Sequence, residues 1–385
     1  MSLPCHFKRL ALPLACALSL GACGKTADSS SSVVKIGYAA PLTGPQSHYG
    51  EEYKHGVELA IEDENASHPV IGGKAVTFQL VAEDDQADPK TATQVAQKLV
   101  DDKVAGVIGH FNSGCTIPAS KIYHDAGIPE ISMSSSPQYT AQGFDTAFRS
   151  MTADDQQGGV MGQYLVTRLH AKRIAVIDDR TAYGQGLADE VAKAVVAAGG
   201  SIVKREFTND KATDFAAILT SIKSIHPDAI YFGGIDAQSS TVARQMKELG
   251  IKAMLVSGDM SMTPNFLKLA GAAAEGTIVS LAGLPLDKMP KGADYAARYK
   301  ARFHAEVETY SPYGYDATRA MIAAMKAADS TAPASYLPKL AAIDYPGITS
   351  AHWAYDAHGN LKQGSIVVYK AVAGKWNVLD TVGGK

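Results

Sequence analysis

The chain has 385 residues, 46% of them hydrophobic and 19% charged, with a formal net charge of −3. That length exceeds what one hydrophobic core usually serves, so two lobes are expected. The mild charge, with no basic block, argues against a nucleic-acid partner.

At the start, Lys8 and Arg9 lead into an apolar run from Leu10 to Leu20 that ends in small residues, the pattern of a secretory signal peptide. The run is about half of the roughly 20 residues that a membrane-spanning helix needs. Leu20-Gly21-Ala22-Cys23 resembles a bacterial lipobox, which implies a leader over residues 1–22 and a lipid on Cys23. The competing reading is an ordinary leader with a cysteine nearby. Loss of residues 1–22 removes Lys8 and Arg9 and no acid, taking the net charge from −3 to −5. Cys5 and Cys16 leave with the leader, so Cys115 has no disulfide partner besides Cys23, and the core must supply the stability. A lone thiol of this kind is expected to be buried. Residues 23–32 carry four serines and nothing apolar larger than alanine after the cysteine. Such a tether wanders roughly 15 Å.

From Val33 onward, short apolar runs alternate with amphipathic stretches. Strands are expected at residues 34–40, 76–81, 104–108 and 128–132, with helices over 51–64 and 89–100 and a further helix between the last two strands. Pro89 sits near a helix start, where its missing N–H costs nothing. The rhythm restarts after Arg149, with helices at 156–169, 186–198, 214–225 and 237–249. Strands alternate with them at 174–177, 201–207, 229–232, 253–257 and 277–281. Alternation of this kind argues for parallel sheets with crossover helices, two copies of one architecture without residue-level repeats. Helices then follow at 293–307, 314–328 and 335–343, a strand runs into a turn over 353–360, and two strands close the chain at 366–369 and 376–379. A late return to the first lobe and then to the second gives several crossings and a stiffer hinge.

Several chemistries have no motif here. There is no G-x-x-x-x-G-K and no G-x-G-x-x-G after a strand, and Tyr183-Gly184-Gln185-Gly186 is only a weak hint of a phosphate loop. The eleven histidines lack metal-ligand spacing, and no G-x-S-x-G elbow is present. Glu83-Asp84-Asp85 could hold a cation, but capping the next helix and facing water is the commoner fate. No catalytic residue, cofactor or metal is expected.

Loops at the carboxyl ends of parallel strands are where α/β proteins bind ligands. One such loop is Gly109-His110-Phe111-Asn112-Ser113-Gly114-Cys115-Thr116, and a second is Met133-Ser134-Ser135-Ser136-Pro137. Hydroxyls and free N–H groups at a helix start suit an anion, although each loop alone reads equally well as a helix cap. In the second half, Tyr183, Asp236 and Asp259 follow strand ends and could meet an ammonium, while Asp236 and Asp259 as singles read as caps. A donor-bearing lobe facing an acid-bearing lobe suits a zwitterion.

The stretches Lys35-Ile36-Gly37-Tyr38-Ala39-Ala40-Pro41-Leu42-Thr43-Gly44-Pro45, Asp84–Lys90, Val107–Ser113, Ala182–Gly186, Gly233–Gln238 and Tyr315–Ala317 carry a resemblance over nearly the whole chain from Val33 to about Leu379. The chain resembles the periplasmic leucine/isoleucine/valine-binding proteins of ABC importers. The resemblance implies an α/β, type I periplasmic-binding fold: two Rossmann-like lobes with parallel-sheet cores, a ligand cleft between them and three crossings. It implies an N-terminal lobe of residues 33–152 plus 283–358 and a C-terminal lobe of 153–282 plus 359–385. Position by position, Ser113, Ser134 and Ser136 would hold the ligand carboxylate, with Ser135 an alternative to Ser136 because the serine loop is one residue short. Tyr183 would close over the ligand, Asp259 would meet its ammonium, and Tyr49 would pack beside its side chain. The implied partners are an amino acid, most simply a branched-chain aliphatic one, and the membrane subunits of an ABC permease. A monomer tethered to the envelope membrane through Cys23 is implied as well.

Departures from the family are specific. Ala87 and Asn112 stand where relatives carry a disulfide, and Ile235 replaces a pocket aromatic, with Asp236 beside it as a possible second charge. Another small amino acid or amide therefore stays open as the ligand. Two further readings are the same fold used as a sensor feeding a regulator and, remotely, a secreted amidase using the serine cluster or Cys115.

Overall fold

The computed structural model describes residues 31–383 apart from Gln363. The expected leader, Cys23 and nearly all of the expected tether therefore lie outside the described residues. Two sheets dominate. The first contains β1 (Ser32–Ala40), β2 (Val70–Ile71), β3 (Lys74–Asp84), β4 (Gly106–Gly109), β5 (Glu130–Ser132) and β6 (Ala147–Arg149), in the order β2-β3-β1-β4-β5-β6. All neighbours are parallel except β2 with β3. Its helices are α1 (Ser47–Ala66), α2 (Pro89–Asp101), α3 (Ser113–Asp125) and the short α4 (Pro137–Ala141).

Residues 154–282 build the second layer set: α5 (Asp154–Thr167), β7 (Arg173–Asp178), α6 (Ala182–Ala197), β8 (Ser201–Phe207), α7 (Ala216–Lys223), β9 (Ala229–Gly233), α8 (Asp236–Glu248), β10 (Met254–Ser257), α9 (Pro264–Ala270) and β11 (Ile278–Ala282). The parallel core β8-β7-β9-β10-β11 repeats the order of β3-β1-β4-β5-β6, so the two halves share one topology. In both, the strand order reverses beside the first strand, which leaves a crevice at the carboxyl ends.

The remainder contributes α10 (Gly292–Phe303), α11 (Ser311–Ala327), α12 (Pro333–Ala341), the two-residue strands β12 (Asp344–Tyr345) and β13 (Trp353–Ala354), and β14 (Ser365–Val372) with β15 (Lys375–Gly383). β14 and β15 extend the second sheet antiparallel from β11. Helix α11 packs along α1. Gly56 permits that approach, because a Cβ there would lie 1.9 Å from the Ser311 carbonyl oxygen. The buried Glu52 carboxylate of α1 accepts the N–H groups of Tyr310 and Ser311 at 2.5 and 2.9 Å, satisfying donors at the start of α11. The chain passes between the two layer sets three times, after β6, after β11 and before β14.

Local chemistry explains most element boundaries. Asp88 caps α2 by accepting from the Thr91 N–H at 2.7 Å, and Ala92, Val95, Ala96 and Leu99 form its buried face. The acid trio before it does not cap this helix. Glu83 pairs with Lys98, Asp84 accepts from Leu42 N–H at 2.8 Å, and Asp85 is buried against His110 Nδ1 at 2.7 Å. Two boundaries shift function-bearing residues. α1 begins at Ser47, so His48 and Tyr49 are helical. α6 begins at Ala182, capped by Thr181, so Tyr183 lies in a helix first turn. β6 and α9 have no counterpart in the periodicity, being only three and seven residues long.

Candidate functional site

The strand ends of the two sheets face each other across a small, tightly lined cavity. Phe111, Asn112 and Ser113 line it from the β4–α3 segment, Met133 and Ser135 from the loop after β5, and Met151 from the first crossing. Tyr183, Asp259 and Met260 line the opposite side, and Tyr310 enters from just before α11.

On the first side, Ser113 is the first residue of α3, where helix N–H groups have no intrahelical acceptor. Ser134 Oγ donates to Ser113 Oγ at 3.0 Å, and both hydroxyls are buried. Ser135 is on the wall. Ser136 sits one residue deeper, at the start of α4, and is not on the wall. The structure thus brings Ser113 and Ser135 to the wall, with Ser134, itself off the wall, bonded to Ser113, an arrangement at a helix start that suits an anion.

On the second side, Asp259 is buried and takes three neutral donors. Gln157 Nε2 and Tyr183 Oη reach Oδ1 at 3.0 and 2.9 Å, and Tyr310 Oη reaches Oδ2 at 3.1 Å. Burial raises its carboxyl above the usual aspartate range, although those three bonds pull the other way. Asp154, the first residue of α5, is also buried, and both its oxygens lack a partner among the described residues. Burial first, and the charge of Asp259 second, push its carboxyl up to about 8. Arg149 acts on Asp154 only from a distance, so two acids sharing one buried region with no cation in contact are an electrostatic cost that a ligand ammonium would relieve.

The two sides are shut on each other. Tyr49 Oη donates to the Met260 carbonyl at 2.5 Å and accepts from the Asp236 N–H at 3.3 Å, while His48 Nε2 lies 2.9 Å from Asp236 Oδ2. Burial alone would lower the His48 pKa, but the bond and charge of Asp236 outweigh it and the net shift is upward. Asp236 Oδ2 also accepts from Thr263 and Asn265 at 2.8 and 3.0 Å. Two expectations are corrected by this geometry. Asp236 is not on the cavity wall but in a latch between the lobes, and Tyr49 stacks behind Phe111 at 5.7 Å between ring centroids instead of lining the cavity. The physical reason is reach: both side chains meet a partner on the facing lobe before they could meet a ligand.

The chain matches the family model of the periplasmic binding proteins over residues 33–375. It belongs to the periplasmic binding protein family. A Leu/Ile/Val-binding protein homolog from Brucella suis is 37% identical over 352 residues, covering 90% of this chain and 93% of that one. Among solved structures, a leucine-binding protein from Thermotoga maritima superposes with a TM-score of 0.84 at 25% identity, covering 91% of this chain and 98% of that one. A branched-chain amino acid transporter substrate-binding protein from Streptococcus pneumoniae, solved with isoleucine, gives 0.80 at 26% identity, covering 92% and 100%. These relatives are solute-binding proteins, not enzymes.

In this periplasmic binding protein, His110 and Cys115 are committed elsewhere. Both ring nitrogens of the buried His110 are occupied, by Asp85 and by Tyr123 Oη at 3.1 Å. Cys115 is buried, off the cavity wall, and burial raises its thiol pKa. Sequence reasoning missed Asp154, Gln157, Met151 and Tyr310. Asp154 and Met151 sit at the first crossing, where no strand end points, and Tyr310 arrives from the late return of the chain.

Proposed function

We propose that the chain is the extracytoplasmic solute-binding receptor of an ABC importer, capturing a branched-chain aliphatic amino acid by lobe closure and presenting the shut form to a permease. The observation that carries this reading is the buried, three-donor Asp259 facing the Ser113–Ser134 hydroxyl cluster across one closed cavity. A carboxylate at one end and an ammonium at the other satisfy both sides at once. Between them, Phe111, Met133 and Met151 offer apolar, sulfur-rich surface, which favours an aliphatic side chain over a polar one. The named ligands of the Brucella and Streptococcus relatives support the same choice.

In this reading Ser113 and Ser135, with Ser134 bonded to Ser113, bind the carboxylate, and Asp259 binds the ammonium with the charge of Asp154 acting beside it. Tyr183 and Tyr310 close over the ligand while holding Asp259, and the lobes comprise residues 33–152 with 283–358 and 153–282 with 359–385. Closure is selected because only the shut form offers both sets of contacts. The leader over 1–22, the lipid on Cys23 and the tether belong to the same proposal: a monomer held in the periplasm beside its permease gains effective concentration. A thermal-shift screen of the full chain against all amino acids tests the ligand, since a ligand at about 100 times its Kd adds about 2.7 kcal/mol. Shifts confined to leucine, isoleucine and valine are expected. No shift with any amino acid would overturn the reading. Mass spectrometry of the cell-envelope form tests the lipid on Cys23.

A further inference from the structure

A buried cation stands behind the serine loop. Arg149, the last residue of β6, is fully buried, and its guanidinium meets only neutral acceptors. Nη1 donates to the Ser134 carbonyl at 2.7 Å, and Nη2 to the Ser136 carbonyl at 3.1 Å and to Thr140 Oγ1 at 2.8 Å. Nε donates to Asn360 Oδ1 at 2.7 Å, in the third crossing. Among the described residues no carboxylate forms an ion pair with it. Asp356, close in sequence to Asn360, is committed to its own turn, accepting the N–H groups of His358 and Asn360 at 2.8 and 2.9 Å. Asp154, Asp155 and Asp356 act on its charge from a distance, but a buried guanidinium with no contacting anion is still costly, of the order of several kcal/mol, so its place needs a reason beyond packing.

The backbone of the loop supplies that reason. The Ser134 and Ser136 carbonyls turn toward Arg149, and the Ser135 carbonyl turns toward the Asp154 N–H at 2.8 Å. All three carbonyls of the triple serine are therefore drawn away from the cavity, and oxygen lone pairs that would repel an anion are removed from its wall. We propose that Arg149 is the positioning residue of this loop: it holds the serine carbonyls off the cavity and fixes a positive charge behind the site where a ligand carboxylate sits. Because Nε is tied to Asn360, the same side chain links the loop to the third crossing, so the loop and the hinge are held in one arrangement. Arginine is required for this: its planar fork reaches two carbonyls and two side chains at once, which a lysine ammonium cannot match in geometry.

The inference rests on the proposed amino-acid ligand, and its test separates the two. Calorimetry on the full chain would use L-leucine, leucinol, which lacks the carboxylate, and 4-methylpentanoate, which lacks the ammonium. Arg149→Gln is expected to weaken leucine and 4-methylpentanoate by about tenfold or more, the scale of a lost charge-assisted interaction, while leucinol changes little. Arg149→Lys, which keeps the charge but not the fork, should fall between Arg149→Gln and the native chain for leucine. Should Arg149→Gln not fold, Asn360→Ala frees one side of the guanidinium with the charge still in place and should also weaken leucine more than leucinol. Equal weakening of leucine and leucinol, which a merely structural role would give, overturns the inference, as does unchanged leucine affinity. A native chain that binds no amino acid would instead overturn the proposed function and this inference with it.

Discussion

Replacing Asp259 by asparagine should separate the ligand from the scaffold in one experiment. The side chain keeps its size, its amide oxygen still accepts from Gln157 and Tyr183, and its NH2 group can donate to the Tyr310 hydroxyl that donated to Oδ2, so the packing of the second side is preserved. The lost element is the buried negative charge. Leaving a ligand ammonium without its carboxylate in a shut cavity costs about 2–5 kcal/mol. At about 1.4 kcal/mol per factor of ten, affinity for leucine should fall by about 30- to 3,000-fold. The empty protein should respond the other way. Burial raises the Asp259 carboxyl above its ordinary range, so the stability it allows is complete below that range and is lost as pH rises through the raised value. Near neutral pH the empty Asp259→Asn variant should therefore melt at the same temperature as the native chain or higher, an advantage that disappears in acid. Calorimetry with leucine and ligand-free melting from acid to neutral pH give the two readings. Unchanged affinity would remove Asp259 from the site. A variant that loses stability when empty by as much as it loses affinity would make the carboxylate structural, and the ammonium assignment would fall with it.

Ser113→Ala removes a hydroxyl at the α3 start and strands the Ser134 hydroxyl, and should cost about 1.5–3 kcal/mol of leucine affinity by calorimetry; a loss below measurement would move the carboxylate elsewhere. Under the proposed closure, the His48–Asp236 pair forms only when the lobes shut. Because Asp236 raises the His48 pKa, its contribution is complete below the ordinary imidazole range and is lost as pH rises through the raised value. The charge of Glu308 adds to the same upward pull on the imidazole. The ratio of native to His48→Ala affinity should accordingly be larger at mildly acid than at mildly alkaline pH, by about twofold to fivefold for a partly exposed pair; a ratio independent of pH would rule the latch out. Gly56→Ala places a Cβ 1.9 Å from the Ser311 carbonyl oxygen where α1 meets α11, and should lower stability by about 1–3 kcal/mol or more in denaturant titration.

What the sequence made legible, and what it hid, follow from how far each contact reaches along the chain. The two serine-bearing loops could be read because each lies directly after an apolar strand, and a hydroxyl at a helix start carries its chemistry locally. Asp259 was readable for the same reason, following β10 by one glycine. Asp236 followed the same rule and was misplaced by it. The rule finds strand ends, but which way the side chain turns depends on His48, 188 residues earlier. Asp154 was hidden for the opposite reason. Beside Asp155 at a helix start it looks like one of two first-turn acids facing water, and only the crossing geometry turns it inward while Asp155 stays exposed. Tyr310 could not be paired with Asp259 from the sequence, because its approach depends on Glu52 of α1 receiving the start of α11. Arg149 combines the two cases. It ends a three-residue strand too short for periodicity to reveal, and its four partners come from the serine loop, α4 and the third crossing, 211 residues away at Asn360. The groups placed to touch a ligand are thus mostly local in the sequence, whereas those that aim them come from chain segments brought together only by folding.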